Sequence, residues 1–173
     1  MKTKFFTFIM AAAMMCGCGN SISNNPLINQ GETPYGTPEF SKIKLEHYMP
    51  AFDYALAEAR AEMDAIINNP EAPTYANTIA ALDQCGATLR KVRGTFSPLS
   101  SSNSNDEIRA LQKEMSPLSS AHSDDINLNP ALFARVKAVY DQREELNLDT
   151  EDMQLLEQTY DINMPEVVGI YMT

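Results

Sequence analysis

From Pro38 onward apolar residues recur at steps of three and four, the spacing that gathers them on one side of an α-helix. Leu45, Tyr48, Met49, Phe52, Leu56, Ala59, Met63, Ile66 and Ile67 form one such stripe and predict a first helix over about Leu45 to Asn68. Pro50 lies early in it, so either the helix begins near Met49 or its first turn is kinked. Asn68-Asn69-Pro70 ends it, because the residue before a proline is pushed out of helical geometry. A second helix is expected from Thr74, read as its N-cap, to about Ser97, with Tyr75, Ile79, Leu82, Cys85, Leu89, Val92 and Phe96 as its stripe. Gly86 and Gly94 interrupt that pattern, each at about 1 kcal/mol relative to alanine. Such glycines either let a neighbouring helix approach closely or mark a hinge.

Ser100 to Asn105 reads as a loop, after which Asn105 caps a third helix with Asp106 and Glu107 in its positive first turn. Ile108, Leu111, Met115 and Leu118 are its stripe, and Pro117 is expected to kink it or break it in two. Asn129 followed by Pro130 announces the next helix, which carries Leu132, Phe133, Val136, Val139 and Tyr140. Asn147 to Asp149 turns the chain, and Asp149 with Asp152 three residues on imitates a capping box for a last helix through Met153, Leu156 and Tyr160. No segment before the last few residues alternates as a strand would, and no repeat of roughly 30 to 45 residues suggests a solenoid. The expected architecture is all-α, about five helices joined by short loops with neighbours antiparallel.

The amino end breaks the pattern. Lys2 and Lys4 precede an apolar run, Phe5 to Met15, that is too short to span a bilayer as a permanent helix. The run ends in Met15-Cys16-Gly17-Cys18, and a small residue directly before a cysteine resembles the lipobox of bacterial lipoproteins. In that reading residues 1–17 are a signal peptide and Cys18 becomes the lipidated first residue; Cys16 is the poorer acceptor because Met15 would sit at the cleavage position. The alternative is an ordinary cleaved secretory signal. Acylation at Cys18 would anchor the chain to a membrane of the bacterial cell envelope, on its periplasmic or outer surface. Residues 18–37, rich in Asn, Ser, Gly and Pro, read as a flexible tether to a helical region over 38–160.

The apolar fraction of 44% is enough to build a core, and 173 residues make one domain or a piece of a larger one. The formal charge is −10, and removal of residues 1–17 leaves 11 basic against 23 acidic residues, net −12. Such an excess speaks against nucleic acid or anionic lipid head groups as partners. With Cys18 lipidated, Cys85 is the remaining thiol, so there is no disulfide framework.

Catalytic chemistry is hard to assemble from these residues. A zinc hydrolase needs three protein ligands, commonly including two histidines one helical turn apart. The two histidines here, His47 and His122, lie on different helices and neither has a second histidine at i+4. Cys85 belongs to an apolar stripe with nothing nearby to lower its pKa. The serines between Ser97 and Ser104 suit a loop rather than a nucleophile elbow, and Asp124-Asp125 and Glu144-Glu145 suit solvated helix ends. No catalytic or metal residue is assigned, and Cys18 as the lipidation site is the one position singled out.

The combination H-Y-M-P-A-F (47–52), N-P-E-A-P-T-Y-A-N-T-I (69–79), S-A-H-S-D (120–124), N-P-A-L-F-A-R-V (129–136) and L-L-E-Q-T-Y (155–160), in this order, resembles one family. It is similar to the N-terminal region of the peptidyl-dipeptidases (dipeptidyl carboxypeptidases), zinc metallopeptidases related to oligopeptidase A and thimet oligopeptidase. The resemblance covers about Pro38 to Tyr160. It implies a helical wall of a deep channel in which oligopeptides are cleaved, the peptidyl-dipeptidases releasing C-terminal dipeptides. It also implies zinc held by an H-E-x-x-H helix and a downstream Glu, where the metal activates water. None of those residues occurs in this chain, so no catalytic or metal role transfers.

After Tyr160 the chain departs from the family into Asp161-Ile162-Asn163-Met164-Pro165 and an apolar tail to Thr173. Interruption of a full-length coding sequence near Tyr160 to Met164 is the expectation, and the chain alone is expected to be inactive, with apolar faces left open. The competing reading is a non-catalytic helical lipoprotein that binds peptides or a partner protein.

Overall fold

The computed structural model describes residues 22–29, 33, 37–102 and 104–162. The signal segment 1–17, Cys18, most of the tether and the tail beyond Ile162 lie outside the described residues. Within them the chain is all-α, with no strand.

Two single turns, Phe40–Lys42 and Leu45–His47, lead into α1, Tyr48–Ile67. Pro50 falls at its third position, where no intrahelical N–H is required, so the helix starts cleanly and later than its apolar stripe suggested. At the other end the Asn68 amide donates to the Asp64 carbonyl at 2.8 Å. Thr74 then caps as expected: its hydroxyl accepts from the Asn77 N–H (3.1 Å) while Asn77 Oδ1 accepts from the Thr74 N–H (2.8 Å).

The second predicted helix is two. A widened π-helical stretch, Tyr75–Ala80, runs into a short α2, Ala81–Gln84, and α3 starts afresh at Ala87 and continues to Ser102. The break is at Gly86, whose φ of +72° is a left-handed conformation open to glycine at little cost. Both sides of the break are tied down. The Glu62 carboxylate accepts the Gly86 N–H at 2.7 Å, and the Arg90 guanidinium donates to the carbonyls of Cys85 (2.6 Å) and Asp83 (2.9 Å). Gly94 differs: it lies inside α3, and a Cβ built there meets nothing within 4 Å.

Ser100 to Ser102, expected in a loop, are the last turn of α3. The hydroxyls of Ser100 and Ser101 fold back onto the Ser97 carbonyl at 3.0 and 2.8 Å, which makes serine compatible with helix here. Asn105 caps α4, Asp106–Asn127, by accepting the Ile108 N–H at 2.8 Å. Pro117 neither ends nor divides α4. It and Lys113, whose carbonyl it leaves unbonded, are on the exposed side, where water can take that carbonyl. Asn129 Oδ1 accepts the N–H groups of both Ala131 and Leu132 (3.0 Å each) at the start of α5, Pro130–Tyr140. The turn after α5 carries Asn147 at φ +50°, a residue that tolerates this region, and Asp149 Oδ1 accepts the Asp152 N–H (2.9 Å) at the start of α6, Thr150–Ile162.

Helix α1 is the shared wall of two apolar clusters. Its first half packs Tyr48, Ala51, Phe52, Ala55, Leu56 and Ala59 against Leu89, Val92 and Phe96 of α3 and Ile108 and Met115 of α4. Its second half brings Met63 and Ile66 to Ile79, Cys85, Leu132, Val136 and Val139, with Leu156 of α6 behind them. Tyr48 donates to the Thr95 carbonyl (3.4 Å) while Glu62 holds Gly86, so α1 and α3 run antiparallel. Arg60 pairs with Asp125 at 3.4 Å near the far end of α4, so α4 runs back alongside α1.

The segment read as a tether contains a packed stretch. Leu27 is 1% exposed in the first cluster, and Asn25 donates to the His47 carbonyl (2.8 Å) while accepting the Leu27 N–H (2.9 Å). Four large apolar residues are left exposed among the described residues, Phe40, Tyr54, Leu128 and Ile162, at wide separations in the sequence.

The two glycines are expected to respond with opposite sign. Gly86→Ala keeps an ordinary 3.5 Å contact with Ala59 Cβ but strains the backbone, lowering unfolding free energy by roughly 1–2 kcal/mol. Gly94→Ala meets no obstacle and raises it by up to about 1 kcal/mol. Urea midpoints of the two variants check this; a shift in the same direction for both refutes the assignment.

Candidate functional site

Between α3 and α4 the packing is held open by small residues. Gly94 and Ser97 on one side face Ser116, Ser119 and Ser120 on the other, leaving an open groove of about 520 Å³. Its floor is apolar, made by Phe96 and Met115, both largely buried. Its rim is hydroxyl and amide, with Ser100 and Gln112 continuing the serine rows, and Arg90 and Arg93 also line it. Arg90 is committed to carbonyls at the Gly86 break, whereas Arg93 has no hydrogen bond or ion pair among the described residues. Arg60, Arg109 and Arg143 each pair with a carboxylate, and Arg135 bonds carbonyl oxygens.

The residues singled out from sequence do not converge. His47 sits ahead of α1, where Nδ1 accepts the Lys44 N–H at 3.0 Å. His122 is buried on α4 near Arg60, which lies 13 residues along α1, or roughly 20 Å, from His47. Its Nδ1 has no hydrogen-bond partner among the described residues, and burial pushes its pKa below the usual 6.5; Arg60 and Arg93 act in the same direction and Asp125 opposes them. Cys85 donates to the Ala59 carbonyl (3.4 Å), and burial, reinforced by Glu62, pushes its pKa up to about 11. It is a core thiol, not a nucleophile. Asp125 and Glu144 are used in surface pairs with Arg60 and Arg143. Among the described residues no group of three His, Cys, Asp or Glu could hold a metal ion, so the donors present do not fit zinc.

Arg135 was not singled out from sequence. It lies on the same face as Leu132, Val136 and Val139, and that position within an apolar stripe was its signal. Its Nη1 donates to the carbonyls of Asn69 (2.9 Å) and Glu71 (3.4 Å) and its Nη2 to Asn77 Oδ1 (3.3 Å). Asn77 also bonds Thr74 and, through Nδ2, the Ala72 carbonyl (3.0 Å). The two side chains thus order the whole connection between α1 and the π-helical stretch. On the same side Tyr75 donates to Asp152 Oδ1 at 2.7 Å, and Tyr140 stacks on Tyr160 with centroids 3.9 Å apart, which seats α6.

Comparison with known proteins places this helical array. Over 136 residues, 79% of the chain, it is 45% identical to dipeptidyl carboxypeptidase of Salmonella typhimurium, covering 20% of that protein. Over 133 residues, 77% of the chain, it is 42% identical to dipeptidyl carboxypeptidase of Escherichia coli, again covering 20% of it. It is 26% identical to Escherichia coli oligopeptidase A over 126 residues, 73% of the chain and 18% of that protein. The chain belongs to the peptidyl-dipeptidase and oligopeptidase A family. No family model matches it. It spans about a fifth of the length of the curated relatives it matches. In this family member the stretch N-P-E-A-P-T-Y-A-N-T-I is the connection organised by Arg135 and Asn77.

His122 sets a pH dependence of stability. Its folded pKa lies below its unfolded value, so the neutral imidazole is favoured in the fold. That contribution is complete above the unfolded value of about 6.5 and is lost as pH falls through the folded pKa. Urea midpoints from neutral pH downward are expected to fall more steeply for the parent than for His122→Gln. Identical slopes would show that His122 does not titrate in this way.

Proposed function

We propose that this chain is the N-terminal helical region of a zinc metallopeptidase of the peptidyl-dipeptidase type, one that releases C-terminal dipeptides from oligopeptides outside the cytoplasm. The observation that carries the reading is 45% identity over 79% of the chain to a dipeptidyl carboxypeptidase. In this proposal zinc and its H-E-x-x-H ligands belong to another part of the polypeptide, and this part contributes a rigid wall. The two-cluster core around α1 and the locked 68–77 connection suit such a wall. The coding sequence downstream is expected to contain H-E-x-x-H followed by a glutamate, and the joined polypeptide to release dipeptides until a chelator is added. Absence of the motif in all three forward frames, or hydrolysis indifferent to chelator, overturns the proposal.

In the same proposal Cys18 carries the lipid that holds the protein to a membrane, and oligopeptides, not nucleic acid, are its partners. Labelled palmitate is expected to be incorporated by the parent and not by Cys18→Ser, with the variant released from the membrane fraction. Equal labelling of both rules out Cys18 as the acceptor.

A second reading, a non-catalytic helical lipoprotein that binds peptides or a partner, draws on the small number of large apolar residues left exposed among the described residues. Cooperative unfolding of a soluble monomer of residues 19–173 supports it; aggregation or molten behaviour supports the peptidase fragment.

A further inference from the structure

We propose that the groove between α3 and α4 binds a peptide segment bearing an acidic side chain, with the carboxylate received by Arg93. The inference does not depend on hydrolysis by this polypeptide or any extension of it.

Three features point the same way. The first is charge. The chain carries 23 acidic residues against 13 basic, yet α3 has Arg90, Lys91 and Arg93 and no acidic residue, and among the described residues no carboxylate lines the groove. Arg93 is therefore a guanidinium whose forked donors are not already engaged by a carboxylate or carbonyl among the described residues, the state needed for two-point recognition of an incoming carboxylate.

The second is shape. The α4 side of the groove extends from Gln112 to Ser120, about 12 Å of helix, which suits an extended peptide rather than a single small anion. Its volume falls within the range of ordinary ligand sites. Gly94 leaves its stretch of α3 open to close approach, since nothing lies within 4 Å of where its Cβ would be.

The third is the chemistry along that length. Phe96 and Met115 offer an apolar floor for a side chain, while the hydroxyls of Ser97, Ser119 and Ser120 and the Gln112 amide can donate to and accept from peptide C=O and N–H groups; Ser100 and Ser116, whose protons go to the Ser97 and Gln112 carbonyls, can accept only. A phosphate ion would use the arginine end and leave the floor and both rims idle. That difference favours a peptide over an inorganic anion.

The test uses the full chain and end-blocked fluorescent tetrapeptides, Ala-Ala-Asp-Ala and its Asn isostere, followed by anisotropy. Blocked ends remove both termini, so binding reports the side-chain carboxylate and cannot be confused with turnover of a free C-terminus. The Asp peptide is expected to bind at least roughly tenfold more tightly than the Asn peptide, and added salt to weaken it. Arg93→Gln removes the difference, and Arg93→Lys restores part of it. Lys42→Gln, which removes a positive charge from a residue that does not line the groove, leaves it unchanged. Arg93 is exposed and makes no hydrogen bond among the described residues, so Arg93→Gln is expected to keep the parent's circular dichroism and urea midpoint. Equal affinity for the two peptides, full retention of the difference in Arg93→Gln, or binding of inorganic phosphate without binding of the Asp peptide each overturns the proposal.

Discussion

Everything in this fold leans on the small-residue ridge of α1. Ala51, Ala55 and Ala59, one helical turn apart, are fully buried, and they let neighbouring backbones come close. At Ala59 the approach reaches its limit: its carbonyl takes the Cys85 thiol and its methyl faces Gly86. The Gly86 break is therefore set against α1 rather than hanging free, and Glu62, three residues on, holds its N–H. Larger side chains on that ridge would push α3 away and part the two clusters that α1 joins, since close-packed interiors absorb added volume poorly.

The second constraint is polar. The 68–77 connection contains two prolines, which lack an N–H, and several of its carbonyls are satisfied by side-chain donors. Arg135 brings a guanidinium from α5 and Asn77 brings an amide from the π-helical stretch, and both are partly or wholly shielded from water. This arrangement couples the loop to the α5–α6 pair, where the Tyr140–Tyr160 stack and the Tyr75–Asp152 bond complete the seam. One of the stretches that carry the family resemblance is thus a structural joint in this chain.

Local rules made much of the architecture legible. Caps at Thr74, Asn105, Asn129 and Asp149 follow from side-chain oxygens placed to accept the first free N–H groups, and each does so in the structure. Prolines and serines are less legible because their cost in a helix depends on exposure. Pro117 on a wet face is tolerated, and Ser100 and Ser101 remain helical by bonding the Ser97 carbonyl. Leu27 shows the same limit from the other side: one apolar residue in a polar segment gives no periodic signal, yet it fills the first cluster.

By itself the sequence determined the helical class, most helix starts, the acidic balance and the family resemblance, because these depend on neighbours a few residues apart or on composition. Only the tertiary structure decided that Gly86 breaks a helix while Gly94 borders a groove, that Arg135 is a buried anchor, and that Arg93, without a hydrogen bond or ion pair among the described residues, stands beside serines from another helix. Those outcomes depend on which surfaces meet across long separations, and periodicity within one segment carries no information about its partner.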